Sequence, residues 1–331
     1  MKYNKKYAET AKKLLSMLLV FWVTITINFL LPRLMPGDGL SMFHADAESM
    51  GLSLSEDQVA QLNAFYGFDK PLWQQYLHSI AGIFTGDLGM SIIYKRSVAA
   101  VIAGSIVWTV GIVSVSTILS AFFGTILGCA SAWKHNRPFD KGLYTFMNAF
   151  SEIPSFVIGF LLLYFIAGRW QLLPLSGGRE AFVEHETLWQ AVKDILLHAV
   201  LPVSTLVITH LTGYYMTARQ SMLTVLSKDY IATAKIKGIS KMRILFKHAL
   251  PNAIAPIIAR VFMSFSRILG GAVIIESVFA YPGLGLLLRD AALARDYPML
   301  QGLYVIISAL VILMNFFADT IYAGIDRRVR K

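Results

Sequence analysis

Long apolar stretches alternate with short charged ones along this chain. Leu14 to Pro32, Ser97 to Trp133 and Tyr297 to Ala318 contain no Asp, Glu, Lys or Arg, and the second runs for 37 residues. Three further stretches carry few charges: Leu143 to Gly168 holds Glu152, Ile195 to Ala218 holds none, and Ala253 to Ile275 holds Arg260 and Arg267. About 20 apolar residues in a helix cross the ~30 Å hydrocarbon layer of a bilayer. The pattern therefore predicts an all-α, polytopic membrane protein with six transmembrane helices. At ~1.5 Å per residue the longest run extends ~55 Å, so its first part lies at the interface or the helix tilts. Between the first two runs, Met35 to Arg96 is too long for a turn. It holds Asp38, Asp46, Glu48, Glu56 and Asp57. Ser55 ahead of Glu56 and Asp57, followed by Val59, Leu62 and Phe65 at helical spacing, predicts a helix in a small folded cap.

Composition agrees with lipid burial: 56% of the 331 residues are hydrophobic and 15% charged. The first apolar run, 19 residues long, exceeds a signal-peptide core and lacks a small-x-small cleavage site after it, so it is expected to stay as a helix. Six spans put both termini on one side. Nineteen Lys and Arg fall in the tails and the two loops on that side, against nine in the opposite loops, which makes the termini cytoplasmic. The net charge of +10 then reflects topology, and nucleic-acid binding is excluded because the basic residues partition by loop. The expected organisation is a cytoplasmic tail 1–13, a first span 14–34, an external cap 35–96 and a five-span core 97–331. A cytoplasmic loop occupies 219–251. Cys129, the lone cysteine, forms no intramolecular disulfide and reads as a small buried hydrophobe. No GxxxxGK[ST] loop occurs, so any ATP is handled by a partner.

The cationic interlude DYIATAKIKGISKMRILFKHALPNA, Asp229 to Ala253, interrupts this pattern. Gly238 separates two short helical patterns, with Asp229, Tyr230 and Ala232 in the first. Ser240 is placed to cap the second, whose Ile239, Met242, Leu245, Phe246 and Ala249 fall near one face, with Lys241, Arg243 and Lys247 mostly elsewhere. Leu250-Pro251 marks the restart into the fifth span, since proline suits a helix's first turn. A basic amphipathic loop of this kind can simply rest on anionic headgroups. Yet the small triplet Ala232-Thr233-Ala234, Gly238 four residues on and Leu250-Pro251 beyond form a fixed order. It resembles the EAA loop of the membrane subunits of binding-protein-dependent ABC importers, with the family's leading glutamate replaced by Ala232. Further motifs extend the resemblance over nearly the whole chain, to the dipeptide/oligopeptide/nickel permease branch: PGD at 36–38, YGFDKPLWQQY at 66–76, GDLGMS at 86–91, IPSF at 153–156 and ESVFAYPGLGLLLRDAALARDYPM at 276–299. The family's Asp-Pro-Arg ending is Asp326-Arg327-Arg328 here.

The resemblance implies the type I ABC importer permease fold and a chain that is not itself an enzyme. Asp229, Tyr230, Ala232, Thr233, Ala234, Gly238, Ile239, Leu250 and Pro251 would form the ATPase-coupling element. Expected partners are a homologous second permease subunit, two cytoplasmic ATPase subunits, an external or periplasmic substrate-binding protein and membrane lipid. The chain would bind no cofactor; ATP and Mg would sit on the ATPases. The implied cargo is a dipeptide or oligopeptide, with nickel, metallophore or opine import as the alternative. An ATP-independent secondary transporter is the rival class, but no internal repeat supports it.

Ionisable residues in the apolar runs are functional candidates because their desolvation is costly. Arg267 is expected to line the translocation path, facing a peptide carboxylate, or else to pair with Glu152 or a neighbouring subunit. Arg260, nearer the cytoplasmic end, is expected to snorkel. Family resemblance places Glu276 and Phe279 at the outer mouth of the path, where Pro282, Gly283 and Gly285 demand a turn. His210 in the fourth span suits an interhelical hydrogen bond. Glu184-His185-Glu186 reads as a solvated loop rather than a metal site. Ser176-Gly177-Gly178 lies in an outside loop without a placed base, against a serine-protease reading.

Overall fold

The computed structural model describes residues 2–34, 48 and 55–325. The Pro36–Asp38 motif, Asp46 and Asp326-Arg327-Arg328 lie outside the described residues. Regular structure among the described residues is helical apart from one bridge, Met90 with Ser97.

The helices, in chain order, are α1 (Lys2–Leu34), α2 (Glu56–Tyr66), α3 (Leu72–Thr85), α4 (Val98–Trp133), α5 (Pro138–Ser151) and α6 (Ser155–Leu162), the last widening into a π-helical turn over Leu163–Arg169. There follow α7 (Leu188–Leu226), α8 (Asp229–Ile236), α9 (Lys241–Arg243), a second π-helical turn (Ile244–Ala249), α10 (Leu250–Val278), α11 (Leu284–Leu293) and α12 (Tyr297–Ile325). Four of these are long and apolar enough to cross a membrane, over Leu15–Leu34, Val98–Trp133, Leu188–Leu226 and Tyr297–Ala318. Two bent pairs, each counted as one span, bring the number to six.

The straight span expected over Leu143 to Gly168 is one of those pairs: Pro138–Ser151 and Ser155–Arg169 meet at 95°. Pro154 stands at the N-cap of the second segment with extended backbone, which ends the first helix before it. The other pair, Lys241–Phe265 with Arg267–Val278, bends by 47°. The long uncharged run forms one continuous helix, α4. Helix α1 reaches back to Lys2, so the expected tail continues the first span.

Packing divides the chain into two units, Met1–Val107 with Gly283–Ile312, and Trp108–Pro282 with Leu313–Lys331. In the first unit the expected cap helix is α2. Ser55 closes a capping box with Gln58, and Gly67 ends the helix at φ 69°. The Tyr66–Tyr76 motif is thereby a helix–turn–helix. Its Gln75 accepts from Arg33 at 3.0 Å, and its Tyr76 hydroxyl lies 2.6 Å from Thr26, which ties α3 to the end of α1. Val98, Ile102, Leu287, Met299 and Leu303 are among the residues forming this unit's core. Two other family-like stretches meet at Asp296, which is fully buried. It accepts from Ser91 Oγ at 2.5 Å, Ile93 N at 3.0 Å and, as the cap of α12, Met299 N at 3.0 Å. GDLGMS and ARDYPM are joined by that carboxylate.

In the second unit α4 lies hard against α7. A Cβ added at Gly124 would sit 2.5 Å from Tyr214 Cβ, and one at Gly128 2.5 Å from the Tyr215 carbonyl oxygen. One turn and two turns earlier on α4, the buried hydroxyls of Ser120 and Ser116 donate to the carbonyls of Val207 and Val203, each at 3.5 Å. Small residues four apart let two apolar helices approach to backbone contact.

Candidate functional site

The cationic interlude folds as two short helical segments around Gly238, whose φ of 71° is left-handed backbone that other residues adopt at a cost. The Gly238 and Ile239 amides donate to the Lys235 and Ala234 carbonyls, closing α8. Pro251 stands at the start of α10, directly after the π-helical turn that leads into it. Within the small triplet the roles differ. Ala234 is buried, whereas Ala232 and Thr233 are exposed. Ile231, Ala234, Ile244 and Ala249 form a core with Ala132, Met222, Val225 and Ala253, so the element is anchored on the ends of α4 and α7.

Two expectations for the second segment need correction. Ser240 sits at the cap position of α9 but makes no side-chain cap hydrogen bond. The shared face of Ile239, Met242, Leu245, Phe246 and Ala249 does not hold: Met242 is 64% and Phe246 58% exposed, and Ile244 takes the buried place. The reason is the π-helical turn at Ile244–Ala249, which winds more widely than the 3.6-residue period assumes. Along with Tyr230 and Ile236, which is 87% exposed, Met242 and Phe246 leave apolar side chains standing outward from the element.

Beneath the anchor lies a polar junction that periodicity did not single out. Asp140, buried at the start of α5, takes a bidentate pair from Arg219, Nε to Oδ1 at 2.8 Å and an Nη to Oδ2 at 2.9 Å. Ser131 Oγ donates to Oδ1 at 2.5 Å and lies 2.8 Å from the Tyr215 hydroxyl. The Asn136 amide donates to Oδ2, and His135 Nδ1 lies 3.0 Å from it. One carboxylate thus joins the end of α4, the 134–137 turn, the start of α5 and the last turns of α7. The available signal was Arg219 closing an uncharged run, with a lone acid, Asp140, two residues after Pro138 in a basic loop.

Among the intramembrane candidates, His210, Arg260 and Arg267 lie within electrostatic range of one another. Arg260 does not snorkel. Its guanidinium donates to Thr217 Oγ1 at 2.9 Å, lies 5.6 Å from the Tyr214 ring and fills the space beside Gly213. Arg267 is exposed, one turn before Gly271, whose added Cβ would lie 3.8 Å from His210 Nε2. Glu152 is exposed, and its carboxylate accepts from Ser151.

Glu276 and Phe279 are buried rather than open. Phe279 packs near Gly159, where Thr205 and Ile275 also converge. The Glu276 carbonyl accepts from the Tyr281 amide at 2.8 Å. Burial pushes the Tyr281 phenol up to about 12, with the Glu276 charge adding to the shift.

The Ser176-Gly177-Gly178 stretch is a seat for this turn. Gly177 N–H donates to the Phe279 carbonyl at 3.0 Å, and Gly178 lies against Pro282 and Trp108. His185 is not simply solvated: it and His198 flank the Asp194 carboxylate at 3.1 and 3.0 Å. Among the described residues no group of three or more His, Cys, Asp or Glu is arranged to hold a metal ion.

Comparison with known proteins adds to this geometry. A family model described as binding-protein-dependent transport system inner membrane component matches residues 124–331. A probable peptide ABC transporter permease of Sinorhizobium fredii, y4tP, is 34% identical, with 96% of this chain and 98% of the relative covered. The dipeptide transport permease DppB of Escherichia coli is 30% identical over 96% of this chain and 97% of its own. Among solved structures, the inward-facing MetNI methionine ABC transporter matches with a TM-score of 0.51 at 16% identity, covering 66% of this chain and 94% of that one. That likeness speaks to the fold alone.

Proposed function

Since the chain belongs to the family of binding-protein-dependent transport system inner membrane components, we propose that it is the permease subunit through which an ATP-driven importer passes peptides across the membrane. It is a transport component rather than an enzyme, and the family works with ATPase partners.

The observation that carries the detailed reading is the element from Asp229 to Pro251. It is fixed from inside by Ile231, Ala234, Ile244 and Ala249 and presents exposed Tyr230, Ile236, Met242 and Phe246 outward. An element held rigidly on two membrane helices, with apolar side chains left uncovered, suits docking against another subunit. In this reading two cytoplasmic ATPases, carrying ATP and Mg, press on that face in this chain and in a homologous second permease. A substrate-binding protein delivers peptide from the other side. Closure of the ATPases moves the Asp229–Pro251 element, and α7 and α10 carry the displacement into the bundle. Arg267, exposed and cationic in an apolar helix, is the side chain of this chain best suited to meet a peptide carboxylate.

The test is Gly238→Val in the assembled transporter. A β-branched residue at φ 71° is strained by roughly 1–2 kcal/mol, and the turn between the two segments must open to relieve it. ATPase subunits recovered with the purified permease are expected to fall roughly tenfold while membrane insertion is unchanged. Full ATPase recovery with the variant would remove the docking role from this element.

A further inference from the structure

Where α4 and α7 end, a groove of about 480 Å³ opens against the coupling element. Its floor is apolar, made by Trp133, Leu226, Ile239 and Ile244. Its rim carries Lys134 and Arg137 from the turn after α4, Lys235 from α8 and Lys241 from α9. No acidic side chain lines it. The nearest carboxylate of the junction, Asp140, is already paired with Arg219, and among the described residues none of the four rim cations forms an ion pair. Lys134 Nζ instead stands 4.8 Å from the Phe139 ring.

Four like charges around one groove repel one another, so an anion held there relieves the rim as well as filling it. The position narrows what that anion is. Trp133 ends the uncharged run of α4 and Lys134 is the first cation after it, which puts this side of the groove at the boundary between hydrocarbon and water, where tryptophan is also favoured, while Leu226 stands eight residues past Ala218 on the cytoplasmic extension of α7. A soluble phosphate would use the rim and leave the floor uncovered. The phosphate and glycerol of an anionic phospholipid use both, with the acyl chains leaving along the spans.

We propose that this groove is a binding site for the headgroup of an anionic phospholipid, phosphatidylglycerol in type. Its phosphate bridges the turn after α4 to both halves of the coupling element. Lys235 precedes Gly238 and Lys241 follows it, so a bound lipid braces the element on either side of its turn. The proposal rests on the reading of the chain as a membrane-embedded permease, but not on ATPase docking, which the Gly238 experiment reads separately.

The experiment is native mass spectrometry of the full chain in detergent, titrated with phosphatidylglycerol or phosphatidylcholine. The wild type is expected to retain phosphatidylglycerol preferentially. In K134Q/R137Q its apparent affinity should fall roughly tenfold or more. In K193Q, which removes an exposed cation at the far end of α7, it should be unchanged. If K134Q/R137Q does not yield folded protein, K235Q/K241Q carries the same expectation. Equal retention of the two lipids by the wild type, or a preference that survives loss of the rim cations, overturns the proposal. Displacement of the lipid by equimolar inorganic phosphate assigns the groove to a soluble anion and also overturns it. So does release of the lipid when the ATPase subunits are added, which would make the groove part of a subunit interface.

Discussion

At the scale of single residues, Asp140 has the most to lose by substitution. Its carboxylate is buried and meets Arg219, Ser131, the Asn136 amide and His135 together. Asp140→Ala leaves Arg219, only 15% exposed in its side chain, without its counter-charge. Breaking such a pair from one side costs about 3 kcal/mol or more. Thermal unfolding in detergent should show a lowered midpoint for Asp140→Ala, with Asp140→Glu less affected. The pairing was not legible in the sequence, because its partners stand 79 positions apart and no local pattern joins them. Gly238 was legible, since a glycine between two short helical patterns has few roles other than a left-handed turn. Arg260 was misread. A cation near the end of an apolar run is expected to reach for water, yet Gly213 leaves room for it to lie against α7 and find Thr217 and Tyr214.

Among the elements, the helices longer than about 20 residues announce themselves by hydropathy alone. Their contacts do not. The approach of α4 to α7 depends on Gly124 and Gly128, whose spacing of four is visible in the chain but gains meaning only once the facing helix is known. Gly128→Leu must displace the Tyr215 carbonyl and the Ala218 side chain, both within 2.7 Å of an added Cβ. Overpacking of this kind costs about 2 kcal/mol. A lowered unfolding midpoint is expected for Gly128→Leu, while Gly104→Leu, at a position where an added Cβ meets nothing within 4 Å, should be close to neutral. Proline position marks where α10 begins, although the chain enters it through the π-helical turn without a break. It also explains the break at Pro154 that hydropathy passed over, because a window average does not register one bend inside an apolar run.

For the whole molecule, the membrane class and the family follow from the order of apolar runs and short motifs. Several of those motifs prove to be joints: Gln75 and Tyr76 tie α3 to α1, and Asp296 ties the stretch after α3 to α12. The asymmetry of basic residues predicts that the Asp229–Pro251 element faces the cytoplasm. With the sole thiol removed by Cys129→Ala, Lys237→Cys gives a single exposed reporter. A membrane-impermeant maleimide is expected to label it in inside-out vesicles and not in right-side-out ones; the reverse pattern would leave no route for an ATPase to reach it.

The wide turn at Ile244–Ala249 has a consequence for how motion would pass through the chain. Each residue of an α-helix rotates the next by ~100°, so a turn that accommodates one extra residue sets the angular phase between the outlying segment and the span that follows. Deleting one residue there would let the turn close to ordinary α-helix and leave Met242 near its present bearing, whereas deleting one from the regular part of α10 would swing it by more than a quarter revolution about the axis of α10. The bearing of the outlying segment on the span is thus set by the winding of six residues.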